Sequence, residues 1–223
     1  MRHDLAGLID HTLLRPDATR SDFERLCKEA AQHRFAAVCV NSAHVAFCTA
    51  LLQDCQLAVA ATVGFPLGSS NTASKRAETA QAVRDGASEI DMVCRVDALK
   101  EGLRALFIDD IAQAVGAAEG RPVKVILETC LLTDEEKRRG ARWAKAAGAA
   151  FVKTSTGFGS GGATEHDVRL LRAELGADFG LKASGGIRDA ARADRLIRAG
   201  ATRLGTSAGV AIVTESSEEE REY

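Results

Sequence analysis

Eight short apolar segments alternate with longer segments of helical periodicity along this 223-residue chain, and this alternation limits the fold more than any other feature. Strands that alternate with helices of about 10–17 residues are typical of parallel strands joined by crossover helices. The predicted strands cover residues 8–12, 36–41, 57–65, 89–94, 123–129, 151–156, 180–184 and 203–207. Eight such repeats predict an α/β fold, the single-domain (β/α)8 TIM barrel.

An open doubly wound sheet would also alternate strands and helices, but no GxGxxG motif follows the first strand to support it. No low-complexity linker divides the chain, so residues 1–213 are expected to form one barrel domain. The acidic segment 214–223 is predicted to be a mobile C-terminal tail.

Two helix starts carry capping signals. Ser21 is followed three residues later by Glu24, and Thr133 by Glu136, and each pair fits a capping box. The predicted helices cover residues 21–34, 43–53, 72–85, 97–119 and 133–148.

The composition argues against several kinds of partner. A formal net charge of -2 offers no basic surface for nucleic acid or for an anionic membrane. No apolar run approaches the roughly 20 residues that span a bilayer, and the N-terminal residues lack a secretory pattern. The six cysteines and five histidines form neither a CxxC pair nor a metal-ligand spacing. This predicts reduced thiols in a cytoplasmic protein without a metal site.

Lys153 lies in the middle of the predicted sixth strand, FVKTST. Parallel strands are buried on both faces and normally consist of continuous apolar runs, so a lysine is unusual there. A buried ammonium is unfavourable unless it is paired or gives up its proton, and a neutral amine is a nucleophile. The alternative is an edge-strand lysine whose ammonium reaches solvent.

Other strands also carry polar or ionisable residues. These residues, with Lys153, are Asp10, Cys39, Asp91, Lys124 and Lys182. Period-two alternation places Asp91 on the face of Glu89, and Lys182 on the face of Ser184. If these faces point inward, charges of both signs share the barrel interior. A purely structural cluster of ion pairs remains the alternative interpretation.

A nucleophilic lysine in such a cluster suggests carbonyl chemistry. A neighbouring cation lowers the pKa of an amine, and Lys182, one strand away, is placed to act on Lys153 in this way. The iminium formed after attack on a carbonyl stabilises an adjacent carbanion or enamine. Asp91 is the candidate that moves protons through a bound water.

Glycine-rich segments follow the last three predicted strands, at residues 156–164, 184–188 and 204–209. Glycine allows backbone N–H groups to approach a ligand closely, and helix N-termini favour anions. The loops after strands seven and eight of barrels recurrently bind phosphate. A phosphate site is therefore predicted there, with Arg188 as a charged contact.

The segments FVKTSTGFG, EIDMV, KVILET, LKASGGIR and LGTSAG, with IDHTLL and AVCVN, resemble the deoxyribose-phosphate aldolase family along nearly the whole chain. The resemblance implies a class I aldolase that needs neither metal nor cofactor. It implies cleavage of 2-deoxy-D-ribose 5-phosphate to acetaldehyde and D-glyceraldehyde 3-phosphate, and the reverse condensation. It also implies small phosphosugar and aldehyde substrates, and we expect a homo-oligomer, with a dimer as the expected form.

The resemblance also implies roles for individual residues. Lys153 matches the Schiff-base lysine, Lys182 the second active-site lysine, and Asp91 the proton-relay aspartate. The residues that match the substrate pocket and its phosphate loops are Asp10, Cys39, Lys124, Gly185, Gly186, Arg188, Gly205 and Ser207. Phe158 stands where some members have a substrate-binding lysine, which affects the expected phosphate affinity. Tyr223 ends the chain as a terminal tyrosine does in some members, but the segment before it has no further match.

Two other functions are compatible with a barrel lysine beside a phosphate site. A pyridoxal phosphate enzyme would use Lys153 for its cofactor, but would leave Asp91 and Lys182 without a task. A phosphosugar-binding barrel of sensory or scaffold function would not need a reactive amine. If the charged residues serve stability alone, Lys153 is inert to carbonyl reagents.

Overall fold

The computed structural model describes residues 5–55 and 57–219, which form a closed barrel of eight parallel strands. Each strand pairs with the next along the chain, and the first pairs with the last. The strands are β1 (Ile9–Leu13), β2 (Ala37–Asn41), β3 (Ala58–Val63), β4 (Glu89–Val93), β5 (Val123–Ile126), β6 (Phe151–Lys153), β7 (Gly180–Ser184) and β8 (Arg203–Thr206). The predicted (β/α)8 fold is confirmed, and the open sheet is excluded.

Helices connect the strands and surround the barrel. They are α1 (Arg20–His33), α2 (Val45–Leu51), α3 (Thr72–Arg84), α4 (Val96–Glu101), α5 (Arg104–Ala117), α6 (Asp134–Ala146), α7 (Glu165–Leu175), α8 (Ala190–Arg198) and α9 (Gly209–Glu219). Within the described residues, none of these helices is long and apolar enough to cross a lipid bilayer.

One of the two predicted helix caps is confirmed and the other is wrong. Thr133 caps α6, where its amide donates to Glu136 Oε2 at 2.8 Å. Helix α1 starts instead from Thr19, whose amide donates to Asp22 Oδ2 at 2.9 Å, so Ser21 lies inside the helix. The sequence contains two overlapping capping-box patterns, Thr19 with Asp22 and Ser21 with Glu24. The helix begins at the first, where Asp22 accepts a hydrogen bond from the Thr19 amide.

One predicted helix is divided, and three predicted strands end two or three residues earlier than expected. The helix predicted over residues 97–119 is two helices, because Gly102 adopts a left-handed conformation (φ 75°) at the end of α4. Strand β3 ends at Val63 rather than at residue 65, and β5 at Ile126 rather than at residue 129. Strand β6 ends at Lys153 rather than continuing to residue 156. The lysine therefore lies at the carboxyl end of its strand, which is the end where barrel active sites form.

Alternate residues of each strand have opposite environments. In β4, Ile90 and Met92 are fully buried in the apolar core between the barrel and its helices. The residues that alternate with them, Glu89 and Asp91, form ion pairs inside the barrel. Each fully buried apolar side chain contributes roughly 1.5–3 kcal/mol, so the outer layer stabilises the fold while the inner layer carries charge.

A buried ion pair outside the barrel supports the carboxyl end of β4. Lys75 of α3 donates to Asp110 Oδ2 of α5 at 2.7 Å and to the carbonyl oxygen of Val93 at 2.9 Å. Thr72 donates to the other oxygen of Asp110 at 2.9 Å. Both charged side chains are fully buried, so each depends on the other.

The backbone of the predicted tail is helical as far as Glu219, in α9. Residues 220–223, which include Tyr223, lie outside the described residues. The mobility predicted for this segment stays a prediction.

Candidate active site

The carboxylate of Asp91 lies at the centre of a buried cluster inside the barrel. Its Oδ2 atom accepts hydrogen bonds from Lys153 Nζ and Lys182 Nζ, each at 2.7 Å. Its Oδ1 atom accepts from Lys124 Nζ at 2.8 Å. The strand register explains this convergence, because Asp91 pairs with Lys124, and Lys153 with Lys182, across neighbouring strands.

A second set of ion pairs continues this cluster toward the amino ends of the strands. Lys182 also donates to Asp10, and Lys124 to Glu89. Arg203 joins these two carboxylates, donating to Asp10 Oδ1 at 2.8 Å and to Glu89 Oε1 at 2.9 Å. The structure thus brings together all five charged strand residues singled out from the sequence, and adds Glu89 and Arg203 to them.

The ammonium groups keep the central carboxylates ionised. Burial opposes the charge of Asp91, but Lys124, Lys153 and Lys182 together hold its pKa well below the usual range. Burial likewise opposes the charge of Asp10, and Lys182, Lys124 and Arg203 lower its pKa. Both acids are therefore ionised at neutral pH.

The carboxylates in turn keep Lys182 and Lys124 protonated. Burial opposes the charge of Lys182, but Asp10 and Asp91 outweigh it and raise its pKa above the ordinary value. The same balance raises the pKa of Lys124, with Asp91 as the strongest favourable partner. Lys182 is thus a cation beside Lys153, as predicted, but its charge is matched by carboxylates on two sides.

Cys39 completes the inner surface of the cluster from β2. Its Sγ atom lies 3.8 Å from Asp91 Oδ2 and is fully buried. Burial, together with the charge of Asp91, raises the pKa of the thiol. Cys39 is therefore a neutral thiol that donates weakly to Asp91.

A cavity of about 340 Å³ opens above this cluster at the carboxyl ends of the strands. Lys153 contributes to its wall, together with five residues predicted to bind phosphate: Gly185, Gly186, Arg188, Gly205 and Ser207. The remaining predicted residues, Asp10, Cys39, Asp91, Lys124 and Lys182, are fully buried in the barrel. The Lys153 side chain is thus the link between the cavity and the charged cluster.

Two of the loop glycines are required by geometry. A Cβ atom at Gly205 would lie 2.9 Å from Lys182 Cε and 3.0 Å from Ser184 Cβ, so the glycine makes room for the buried lysine. Gly185 has φ 89°, a conformation that side chains rarely adopt, and its carbonyl accepts from the Ala163 amide at 3.1 Å. This bond joins the loops that follow β6 and β7.

The residues of the site that were not singled out from the sequence include Arg203, Arg15 and Glu128. Arg203 shares the period-two face of Gly205, so alternation in β8 could have revealed it. Arg15 lines the cavity from the loop after β1. Glu128 accepts a hydrogen bond from the hydroxyl of Thr156, which also lines the cavity. Glu128 has φ 58°, which is uncommon for a residue with a side chain, and no sequence pattern predicts it.

Phe158 forms part of the cavity rim. Its ring is 53% exposed and packs edge-on against Phe65, with ring centroids 5.3 Å apart. A second, smaller pocket of about 120 Å³ lies beside it and includes Leu67 and Leu131. The rim is therefore apolar at the position where some aldolases place a cationic side chain.

Within the described ranges 5–55 and 57–219, one group of potential metal ligands lies outside the barrel, formed by Asp134, His166 and Asp167. The ammonium of Lys137 already lies 3.0 Å from Asp134 Oδ1 and 2.7 Å from Asp167 Oδ1. A cation is thus supplied by the protein itself, and this group is an ion-pair cluster that ties α6 to α7.

Comparisons with known proteins agree with this geometry. Residues 5–215 match the model of the DeoC/LacD family aldolases. The chain is 55% identical to the deoxyribose-phosphate aldolase of Coprothermobacter proteolyticus over 93% of this chain and 95% of that protein. It is 51% identical to deoxyribose-phosphate aldolase 1 of Bacillus licheniformis, with 96% of each chain covered. The tetrameric deoxyribose phosphate aldolase of Aeropyrum pernix has the same fold (TM-score 0.90, 31% identity), with 96% of this chain and 92% of that chain covered. This chain therefore belongs to the DeoC/LacD family of aldolases.

Proposed function

We propose that this protein reversibly cleaves 2-deoxy-D-ribose 5-phosphate to acetaldehyde and D-glyceraldehyde 3-phosphate through a Schiff base on Lys153. The observation that carries the proposal is the position of Lys153, whose Nζ lies 2.7 Å from the Asp91 carboxylate while the side chain borders the cavity. Relatives at 55% and 51% identity are named for this aldolase activity.

In the proposed first steps, the neutral Lys153 amine attacks C1 of the open-chain sugar and forms a carbinolamine. Loss of water from the carbinolamine gives an iminium. Asp91 is ionised and Lys182 is protonated, so the pair offers one group that can accept a proton and one that can donate a proton. A water in the cavity would relay these protons, because Lys182 itself is fully buried.

Carbon–carbon cleavage follows from the iminium. The C3 hydroxyl loses its proton, the C2–C3 bond breaks, and its electron pair moves toward the iminium nitrogen to give an enamine. D-glyceraldehyde 3-phosphate then leaves. Protonation of the enamine at C2 and hydrolysis of the resulting iminium release acetaldehyde and restore the amine.

The same proposal assigns phosphate binding to the glycine loops after β7 and β8, with Arg188 as the charged contact. These loops line the cavity that Lys153 borders, as a phosphosugar of this length requires. A charge-assisted contact contributes about 1.5–3 kcal/mol, or roughly ten- to a hundredfold in affinity. Arg188→Ala should accordingly raise KM for the phosphorylated sugar more than for free deoxyribose. An equal effect on both sugars would remove the phosphate role from Arg188.

The decisive experiment is reduction with borohydride in the presence of acetaldehyde, followed by peptide mass mapping. We expect an ethyl adduct on Lys153, no adduct on Lys124 or Lys182, and no adduct after Lys153→Met. Lys137→Met is the matched control, because that lysine is paired on α6 outside the barrel, and its loss should leave the adduct intact. An adduct on Lys182 instead would overturn the assignment.

We also propose that the protein is cytoplasmic and assembles into a homo-oligomer, with a dimer as the expected form. The relative from Aeropyrum pernix is described as tetrameric, which supports self-association in this family. Light scattering of the purified protein measures the assembly directly. A mass of one chain at micromolar concentration would contradict it.

A further inference from the structure

The charged groups inside the barrel are balanced only when Lys153 is left out. The described interior contains three carboxylates, those of Asp10, Glu89 and Asp91. It contains four cationic side chains, those of Lys124, Lys153, Lys182 and Arg203. The cluster is therefore electrically neutral when the Lys153 amine is neutral, and carries one excess positive charge when that amine is protonated.

The contacts identify Lys153 as the excess member. Lys182 contacts both Asp10 and Asp91, and Lys124 contacts both Glu89 and Asp91. Arg203 likewise bridges two carboxylates, at 2.8 and 2.9 Å. Lys153 contacts a single carboxylate oxygen, which it shares with Lys182. Its charge is thus the one that the cluster compensates least.

Groups from every neighbouring strand contribute to the potential at Lys153. They are Asp10 (β1), the Cys39 thiol (β2), Glu89 and Asp91 (β4), Lys124 (β5), Lys182 (β7) and Arg203 (β8), while β3 contributes the neutral Thr62 hydroxyl. Glu128, after β5, is instead hydrogen-bonded to Thr156. Arg15 and Arg188 border the cavity, where solvent screens them, and Arg15 is paired with Asp17 and Asp22. The buried groups therefore dominate.

We propose that Glu89 and Arg203, which do not line the cavity, are positioning residues that set the pH at which Lys153 becomes reactive, and that they act in opposite directions. Removing the Arg203 cation leaves the cluster with an excess negative charge and favours the protonated amine. Removing the Glu89 anion leaves an excess positive charge and favours the neutral amine. This inference rests on the proposed Schiff-base function of Lys153.

The strand register gives the size of the effect. Arg203 pairs with Lys182, and Lys182 with Lys153, so two strand spacings separate the backbones of Arg203 and Lys153, or about 10 Å. At an effective dielectric constant of about 20, one unit charge at that distance changes a protonation equilibrium by about 1 pH unit.

The test is the pH dependence of kcat/KM for cleavage of the phosphorylated sugar. We expect the acid limb to move by about 1 pH unit to lower pH in Glu89→Gln and by about 1 pH unit to higher pH in Arg203→Met. The double variant, in which the balance is restored, should have its acid limb close to that of the wild type. Glu89→Asp and Arg203→Lys keep the charges but change the geometry, so their acid limbs should remain in place even if stability falls.

A second readout measures Lys153 directly, as the pH dependence of borohydride trapping of acetaldehyde on that residue. If Arg203→Met does not fold, the comparison of Glu89→Gln, whose pH dependence should shift, with Glu89→Asp, whose pH dependence should not, decides the question. Absence of any adduct on Lys153 in the wild type would refute the proposed function. An adduct on Lys153 whose pH dependence is the same in Glu89→Gln and the wild type would overturn the inference alone.

Discussion

Asp91→Asn is the change that most directly tests the charged cluster. The substitution keeps the size of the side chain but replaces one carboxylate oxygen with an amide NH2 group. Both oxygens of Asp91 accept from ammonium groups, Oδ1 from Lys124 and Oδ2 from Lys153 and Lys182. Either orientation of the amide therefore places a donor against at least one donor.

The structure gives an expected size for two separate effects. Losing one charge-assisted hydrogen bond destabilises the fold by about 1.5–3 kcal/mol, which lowers Tm by roughly 3–12 °C for a chain of this length. Losing a positioned proton acceptor lowers the rate by about 10²–10⁴-fold. The nucleophile remains, so borohydride should still trap acetaldehyde on Lys153.

The assay compares kcat for sugar cleavage with the yield of the trapped Lys153 adduct at a temperature where the variant is folded. Asp110→Asn is the matched control, because Asp110 is also a fully buried aspartate beside a lysine but lies outside the barrel. It should lose stability and keep its kcat. A kcat for Asp91→Asn within tenfold of the wild type, with a normal adduct, would refute the role of Asp91 in proton transfer.

Three further outcomes follow from the same contacts. Lys75→Met should destabilise the fold by about 3–5 kcal/mol in urea unfolding, because it leaves Asp110 buried and unpaired. The double variant Lys75→Met, Asp110→Leu should recover most of this stability, and a double variant as unstable as Lys75→Met would contradict the reasoning. Phe158→Lys should lower KM for the phosphorylated sugar relative to free deoxyribose by about tenfold, since it adds a cation at the cavity rim; an unchanged ratio would separate the rim from phosphate binding. The folded-state pKa of Asp91 is lowered, so its stabilising contribution is full above the unfolded-state pKa of about 3.9 and is lost as pH falls toward the folded-state value. The difference in unfolding free energy between the wild type and Asp91→Asn should therefore narrow below about pH 4, and a difference that widens there would be inconsistent with this linkage.

The fold and the choice of Lys153 as the candidate reactive amine follow from the sequence because both depend on local patterns. Alternating strand and helix periodicities specify a parallel barrel, and the strand order then needs no further information. A lysine among apolar strand residues is recognisable in the same way. Period-two alternation put Asp91 on the face of Glu89 and Lys182 on the face of Ser184, but did not show that these faces point inward.

The exact ends of helices and strands were harder to predict from the sequence than the fold. Both Thr19 and Ser21 can start a helix, and the hydrogen bond from the Thr19 amide to Asp22 selects the first. Residues 97–119 have helical periodicity throughout, but a single left-handed glycine at position 102 divides them. Strand β6 likewise ends at Lys153, although the Thr154 amide beyond it still donates to the carbonyl oxygen of Lys182 in β7 at 3.1 Å.

Only the tertiary structure decided how the charges are matched. Asp10 and Lys182 are 172 residues apart in sequence, and Asp10 and Arg203 are 193 apart, yet the closure of β1 against β8 brings them into contact. Whether a buried charge is compensated depends on all of its neighbours at once, and the charged residues of this cluster come from six different strands. The sequence therefore singled out Lys153 as the candidate reactive residue, whereas barrel closure determined which carboxylates each interior cation contacts.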